Sequence, residues 1–156
     1  MEEAIGTMIN QEDNKANELN ALTLAYIGDA VIELFVRKHL IYQGYVKPNA
    51  LHKECIRYVS AKGQAAFLFN LLNEAVLTEE EQGIVRKGRN AKSSTVPKNT
   101  DVQTYRYGTA FECLIGYLNL KGQSKRVTEL LDQLMSFHSA NTSQTMDYGV
   151  TNKDQL

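Results

Sequence analysis

A chain of 156 residues has the length of one domain, and a hydrophobic fraction of 43% is enough to build a core. The net charge of -1 excludes no class of partner by itself, but residues 86–98 carry five basic side chains and no acid. The two cysteines lack paired spacing, the first residues lack a secretory pattern, and no apolar run has the length of a membrane span. We therefore expect a cytoplasmic protein without disulfides and without a membrane partner.

The hydrophobic pattern is helical along most of the chain, and no segment alternates as a strand would. The spacing predicts six helices, over residues 19–40, 49–58, 61–73, 78–88, 101–120 and 124–138. Three capping signals support these boundaries: Pro48 suits a first helical turn, Ser60 can cap the third helix, and Thr78 opens a capping box. Residues 91–100 predict a loop. We predict one all-α domain over residues 1–138 and a polar, flexible tail over residues 139–156.

Two carboxylates interrupt apolar stretches of separate predicted helices. Asp29 lies in an Ala-Tyr-Ile-Gly-Asp-Ala-Val-Ile run, and Glu112 lies in a longer apolar run. A carboxylate is costly to bury without a partner, so the two acids indicate either a shared cation or hydrogen bonds and ion pairs. Glycine inside a helix costs roughly 1 kcal/mol relative to alanine, so Gly28 and Gly116 predict a close contact between two helices. Such a contact would bring both acids to one Mg²⁺ site, because Mg²⁺ takes one or two carboxylates plus water.

The basic segment, residues 86–98, supplies candidate nucleic-acid contacts. A charge run is usually a solvated face, but this one mixes glycine, asparagine and serine with its bases, and such groups contact phosphates and ribose hydroxyls. The RNA-binding candidates are Arg86, Lys87, Arg89, Asn90, Lys92, Ser93 and Lys98, with Thr95 beside them. Because the segment precedes the helix of Glu112, we expect it to hold a polyanion against the carboxylates.

Other polar residues have simpler interpretations. Glu33 is expected to pair with Arg37 one turn later. His52 and Cys55 lie one turn apart, which permits a zinc pair, but no second pair completes four ligands. In the third helix the residues expected to face inward are Ala65, Phe67 or Leu68, Leu71 and Leu72.

Both acid-containing motifs resemble the signatures of the ribonuclease III catalytic domain. Tyr26-Ile27-Gly28-Asp29-Ala30-Val31 resembles the first signature, and Thr109-Ala110-Phe111-Glu112-Cys113-Leu114-Ile115-Gly116 resembles the second. The segments at residues 87–92 and 98–106 also resemble the Mini-ribonuclease III family, whose members consist of the catalytic domain alone. The resemblance covers about residues 19–138.

This resemblance implies an all-α ribonuclease III catalytic-domain helical fold that works as a homodimer, with a Mg²⁺ site in each subunit. Asp29 and Glu112 would be the catalytic, metal-binding carboxylates in the hydrolysis of double-stranded RNA to 5′-phosphate and 3′-hydroxyl ends. The implied substrate is the 23S ribosomal RNA precursor. A large-subunit ribosomal protein that presents this RNA is a further partner consistent with the family, although no residue marks a site for it.

The sequence departs from full-length ribonuclease III enzymes at Leu22, Ala25 and Thr109, where those enzymes have acids. We therefore expect a metal sphere with fewer carboxylates and more water. We also expect no separate double-stranded RNA-binding domain, so that binding depends on the basic segment and is sensitive to salt. Two alternatives stay open: a non-catalytic ribonuclease III-like RNA-binding protein in ribosome assembly, and a helical interaction protein whose acids form ion pairs.

Overall fold

The computed structural model describes residues 15–92 and 96–153, with side chains described as far as residue 141. Within these ranges a 3-10 turn, Ala16–Glu18, precedes six α-helices. They are α1 (Ala21–Tyr42), α2 (Pro48–Val59), α3 (Ala61–Asn73), α4 (Glu79–Arg89), α5 (Val102–Leu120) and α6 (Ser124–Lys153). The described part contains no strand, so the predicted all-α fold class is confirmed.

Local capping explains where several helices begin. The side chains of Asn20, Ser60 and Asp101 accept hydrogen bonds from backbone N–H groups in the first turns of α1, α3 and α5. Thr78 and Glu81 form the predicted capping box of α4. These side chains satisfy backbone donors that have no partner inside the helix, which fixes the boundaries to within a residue or two.

The prediction for the last helix is too short. It was expected to end near residue 138, whereas α6 continues to residue 153. The flexibility of residues 139–156 stays a prediction. No helix in the described ranges has both the length and the apolarity needed to cross a bilayer.

The core is organised around α5, which packs against α1, α3 and α4. Its buried side chains include Phe111, Leu114, Ile115 and Leu118, so its apolar residues face several neighbours at once. The prediction that Leu72 of α3 faces inward is wrong, because this side chain is exposed and the others of that set are buried.

Helix α1 carries apolar residues on two faces. The core face contains Leu24, Ile32, Val36 and Leu40, all of them buried. The opposite face is exposed in the single chain, and we name its apolar residues the α1 stripe: Tyr26, Ala30, Leu34 and Ile41. Tyr26 and Leu34 are 79% and 57% exposed, which is unusual for large side chains aligned at helical spacing.

Two glycines allow α1 and α5 to meet through their backbones. A Cβ atom on Gly28 would lie 1.7 Å from the carbonyl oxygen of Glu112, and one on Gly116 would lie 1.8 Å from the carbonyl oxygen of Leu24. Neither position has room for a side chain. The predicted glycine contact between two helices is therefore present.

The glycine contact gives a test of stability. Gly116→Ala should lower the free energy of unfolding by about 3 kcal/mol, because the added methyl forces the two backbones apart. Gly83→Ala in α4 is the matched control, since the nearest atom to its Cβ would be Arg86 Nη2 at 3.8 Å. This control should raise stability by up to about 1 kcal/mol. Urea unfolding measures both, and equal effects of the two substitutions would contradict the backbone contact.

Candidate functional site

The glycine contact places the two motif acids on adjoining turns of α1 and α5. Asp29 directly follows Gly28, and Gly28 faces the carbonyl group of Glu112. The two carboxylates interact electrostatically, because the charge of Asp29 raises the pKa of Glu112. The structure thus brings together the two residues that the sequence motifs singled out.

The two acids differ in burial. Glu112 is half-buried on the central helix, as an acid inside an apolar run suggests. Asp29 is exposed in the single chain, so the expectation that it sits within a core is wrong. The apolar residues near Asp29 explain the error, because Tyr26 and Ala30 belong to the exposed α1 stripe and not to the core.

Burial and neighbouring negative charge oppose ionisation at this site. Burial, together with the charges of Asp29 and Glu33, raises the pKa of Glu112 to about 8. Burial and the charge of Glu33 also raise the pKa of Asp29, whereas Arg37 lowers it. The predicted ion pair of Glu33 with Arg37 is confirmed, with 2.8 Å between Glu33 Oε2 and Arg37 Nη2. Three carboxylates therefore share one region of negative potential.

The number of possible metal ligands in the site is small. Among the described residues, no three His, Cys, Asp or Glu side chains form a group that could hold a metal ion. His52 and Cys55 line a groove between α1 and α2, and no group of three possible metal ligands forms there among the described residues. Asp29 and Glu112 provide two hard oxygen ligands, which suits a cation that keeps most of its water.

The basic segment begins at the end of α4 and continues into the following loop. Arg86, Lys87, Lys92 and Lys98 are exposed, while Arg89 is half-buried. The Lys87 ammonium donates a hydrogen bond to the Leu19 carbonyl oxygen at 2.6 Å. One of its three donors therefore links α4 to the segment before α1.

Two other predicted RNA contacts behave differently. Asn90 caps the end of α4, and its side-chain oxygen accepts a hydrogen bond from Arg89 Nε at 3.4 Å. Ser93 and Thr95 lie outside the described residues. Among the described members of the segment, Lys87, Arg89 and Asn90 therefore have side-chain hydrogen bonds within the protein. The other basic side chains are exposed cations.

A cavity of about 320 Å³ joins the basic segment to the helix of Glu112. Lys92 lines it from the basic segment, and Arg106 and Thr109 line it from α5. Thr109 precedes Glu112 by one helical turn, so the cavity adjoins the carboxylate site. Arg106 is not among the RNA-binding residues predicted from the sequence; its position on the predicted helix of Glu112, six residues before that acid, was the available signal.

Comparison with known proteins places this site in a family context. Residues 22–123 match the Ribonuclease III domain family. The chain is 50% identical over 115 residues to the Mini-ribonuclease 3 of Enterococcus faecalis, covering 74% of this chain and 87% of that relative. It is 47% identical over 129 residues to the Mini-ribonuclease 3 of Staphylococcus aureus, covering 83% of this chain and 96% of that relative.

A solved structure is also similar. The crystal structure of a Fusobacterium nucleatum protein aligns with a TM-score of 0.69 at 28% identity, over 78% of this chain and 96% of that chain. The region that matches the domain family contains both acids, Arg106, and the whole basic segment with its loop.

The raised pKa of Glu112 predicts how stability depends on pH. The folded state keeps a proton on Glu112 that the unfolded chain releases near a pKa of about 4.3. Stability from this proton is therefore fully present below about pH 4.3, falls as the pH rises, and is lost above the folded pKa of about 8. The slope is at most about 1.4 kcal/mol per pH unit.

Urea unfolding of the metal-free protein between about pH 5 and pH 8 measures this slope. Glu112→Gln cannot ionise and should flatten the pH dependence relative to the wild-type protein. Glu74→Gln, which removes an exposed carboxylate from the end of α3, should keep the wild-type slope. Identical slopes for the wild-type and Glu112→Gln proteins would be inconsistent with the raised pKa.

Proposed function

Because the chain belongs to the Ribonuclease III domain family and is an endoribonuclease, we propose that it hydrolyses double-stranded RNA with Mg²⁺ held by Asp29 and Glu112. The observation that supports this proposal is the meeting of the two acids at the glycine contact. The backbones there are too close for either helix to move aside without loss of packing. Both carboxylate side chains therefore extend from backbone positions that two rigid helices hold in place.

The donor set fits Mg²⁺. Both ligands are carboxylates, and each has its pKa raised by burial and by negative neighbours. A divalent cation would favour the ionised forms and offset their mutual repulsion. With only two carboxylates from the chain, most of the coordination sphere would consist of water and substrate oxygens. A bound Mg²⁺ would supply a water of lowered pKa and positive charge at the scissile phosphate.

The residues of the chain have separate roles in this proposal. Asp29 and Glu112 bind the cation and orient the attacking water. The exposed bases Arg86, Lys92 and Lys98 and the half-buried Arg89 contact backbone phosphates, and Lys87 adds charge from its position beside α1. Asn90, Ser93 and Thr95 are proposed contacts to ribose or phosphate. Recognition of this kind reads the shape of an A-form duplex more than its sequence.

We further propose that the protein acts as a homodimer formed through the α1 stripe. The stripe is a row of exposed apolar side chains directly beside Asp29, and a second copy of the same helix would cover it. Each subunit would then present its own carboxylate site. Two such sites suit a duplex, because each of its strands needs one cut.

The proposed cellular substrate is the 23S ribosomal RNA precursor, cleaved in the cytoplasm to products with 5′-phosphate and 3′-hydroxyl ends. The relatives named Mini-ribonuclease 3 support an RNA substrate, and the family that the Asp29 and Glu112 motifs resemble implies this precursor. A large-subunit ribosomal protein that presents the precursor stem belongs to the same proposal. Stimulation of cleavage by the added protein would test that part.

Cleavage of a long, perfectly paired RNA is the direct test of function. The wild-type protein should cut the duplex with Mg²⁺ and leave the same RNA intact as a single strand. Asp29→Asn and Glu112→Gln should each lower the rate at least about a hundredfold, because each removes a charge that holds the cation. Asp132→Asn neutralises an exposed acid on α6 and should cut normally.

A second readout does not depend on activity. Mg²⁺ should raise the thermal stability of the wild-type and Asp132→Asn proteins but not of Glu112→Gln. Duplex binding without any cleavage would favour the non-catalytic RNA-binding protein. Full cleavage by Asp29→Asn would show that the catalytic assignment is wrong.

The homodimer has its own test. Leu34→Lys places a charge in the middle of the α1 stripe and should convert a dimer into a monomer in sedimentation velocity. Val76→Lys is the matched control, since Val76 is also an exposed aliphatic residue but lies after α3. A monomeric wild-type protein at micromolar concentration would refute the dimer without affecting the cleavage assignment.

A further inference from the structure

The cavity beside Glu112 has a composition that the two-carboxylate site does not explain. Its polar lining consists of two cationic side chains, Lys92 and Arg106, and two that bear hydroxyls, Tyr105 and Thr109; the other described lining residues are apolar or glycine. None of the residues described around it is acidic. A volume of about 320 Å³ lies at the lower end of the range for ligand sites. The cavity therefore suits a small anionic group.

Its two cations are available to a ligand. Within the described ranges, neither Lys92 nor Arg106 forms an ion pair or a side-chain hydrogen bond with the protein. Other bases behave differently: Arg126 is held by Glu81 at 2.9 Å, and Arg57 by Glu54 at 2.7 Å. An unpaired arginine beside a cavity can direct its planar fork at an anion such as phosphate.

The position of the cavity relates it to the reaction. Arg106, Thr109 and Glu112 are spaced three residues apart on α5, so Thr109 neighbours both of the others, while Arg106 and Glu112 are turned about 120° from each other around the helix axis. Six residues of helix correspond to about 9 Å along the axis. A nucleic-acid backbone that places one phosphate at Glu112 would continue past the cavity with a neighbouring phosphate.

We propose that this cavity binds a backbone phosphate of duplex RNA next to the phosphate that is cleaved. Arg106 donates to the phosphate oxygens, Lys92 adds a second positive charge, and the Thr109 hydroxyl donates a further hydrogen bond. Arg106 is then a positioning residue, because it fixes the register of the strand without touching the reacting atoms. The proposal rests on the proposed ribonuclease function for its substrate and adds a phosphate subsite to it.

The first experiment measures binding in the Asp29→Asn background, where the duplex stays uncut. Arg106→Gln should weaken duplex binding about tenfold and reduce the salt dependence of binding by about one counterion. Lys125→Gln is the matched control, because it removes one exposed positive charge beyond the opposite end of α5. Arg106→Lys should keep the salt dependence and recover only part of the affinity, since lysine lacks the fork.

Cleavage kinetics in the Asp29 protein provide the complementary readout. Arg106→Gln should raise KM and lower kcat, because a strand held in the wrong register presents the scissile bond poorly. Unchanged thermal unfolding of the variant would exclude a folding defect as the cause. Binding and salt dependence of Arg106→Gln equal to those of Lys125→Gln would overturn the proposal.

The competing interpretation is a subsite for a second cation, and Thr109→Asp separates the two. A carboxylate at this position should pair with Arg106 and repel a phosphate, so duplex binding and cleavage should both fall about tenfold or more. Stronger Mg²⁺ binding in calorimetry together with faster cleavage would identify a cation site and overturn the phosphate assignment.

The outcomes also separate this inference from the proposed function. A wild-type protein that binds duplex RNA through Arg106 but does not cut it would refute the nuclease proposal and keep the phosphate subsite. If the Arg106→Gln protein cuts duplex RNA with an unchanged KM, the phosphate subsite is refuted and the nuclease proposal is kept.

Discussion

The rest of this structure depends on the backbone contact between α1 and α5. At Gly28 and Gly116 the missing side chains let the carbonyl groups of one helix approach the backbone of the other. Dispersion contacts between two such surfaces are individually small but numerous, and they offset the low helix propensity of glycine. The same contact fixes the backbone positions of Asp29 and Glu112. Asp29 follows Gly28 directly, and the carbonyl group of Glu112 faces Gly28.

Because the backbones of both acids are held rigidly, the fold can keep their carboxylates in an unfavourable electrostatic arrangement. Glu112 is half-buried, and Asp29 and Glu33 add negative charge around it, so its pKa is raised to about 8. Flexible side chains on loose elements would separate to reduce this repulsion. Here the helices hold the acidic side chains near one another. A bound cation would relieve the repulsion between these carboxylates, so the free energy that the repulsion costs the metal-free fold would add to cation binding. The arrangement therefore lowers the stability of the metal-free fold, as the proposed cation site requires.

The helices and the acid pair could be predicted from sequence for identifiable reasons. Capping residues such as Ser60 and Thr78 act locally, and glycine inside an apolar helix signals a close contact wherever it occurs. Such signals depend on neighbours in the chain. They identified all six helices of the described part and the meeting of Asp29 with Glu112.

Other features depend on contacts between distant residues or on what lies outside the chain. The hydrogen bond from Lys87 to Leu19 joins residues 68 positions apart, and no local pattern announces it. The exposure of Asp29 was not predicted, because apolar neighbours do not reveal whether the core or another surface covers a helix face. The length of α6 was missed because its polar end lacks an apolar period.

The exposure of Asp29 beside the α1 stripe has a thermodynamic consequence. If a second copy covers the stripe, it also removes water from around Asp29, which makes the charge on that carboxylate more costly. A cation bound to Asp29 reduces this cost, so self-association and cation binding would strengthen each other by the same factor. Dilution would then weaken cation binding, and chelation would loosen the assembly, through linkage at a single carboxylate.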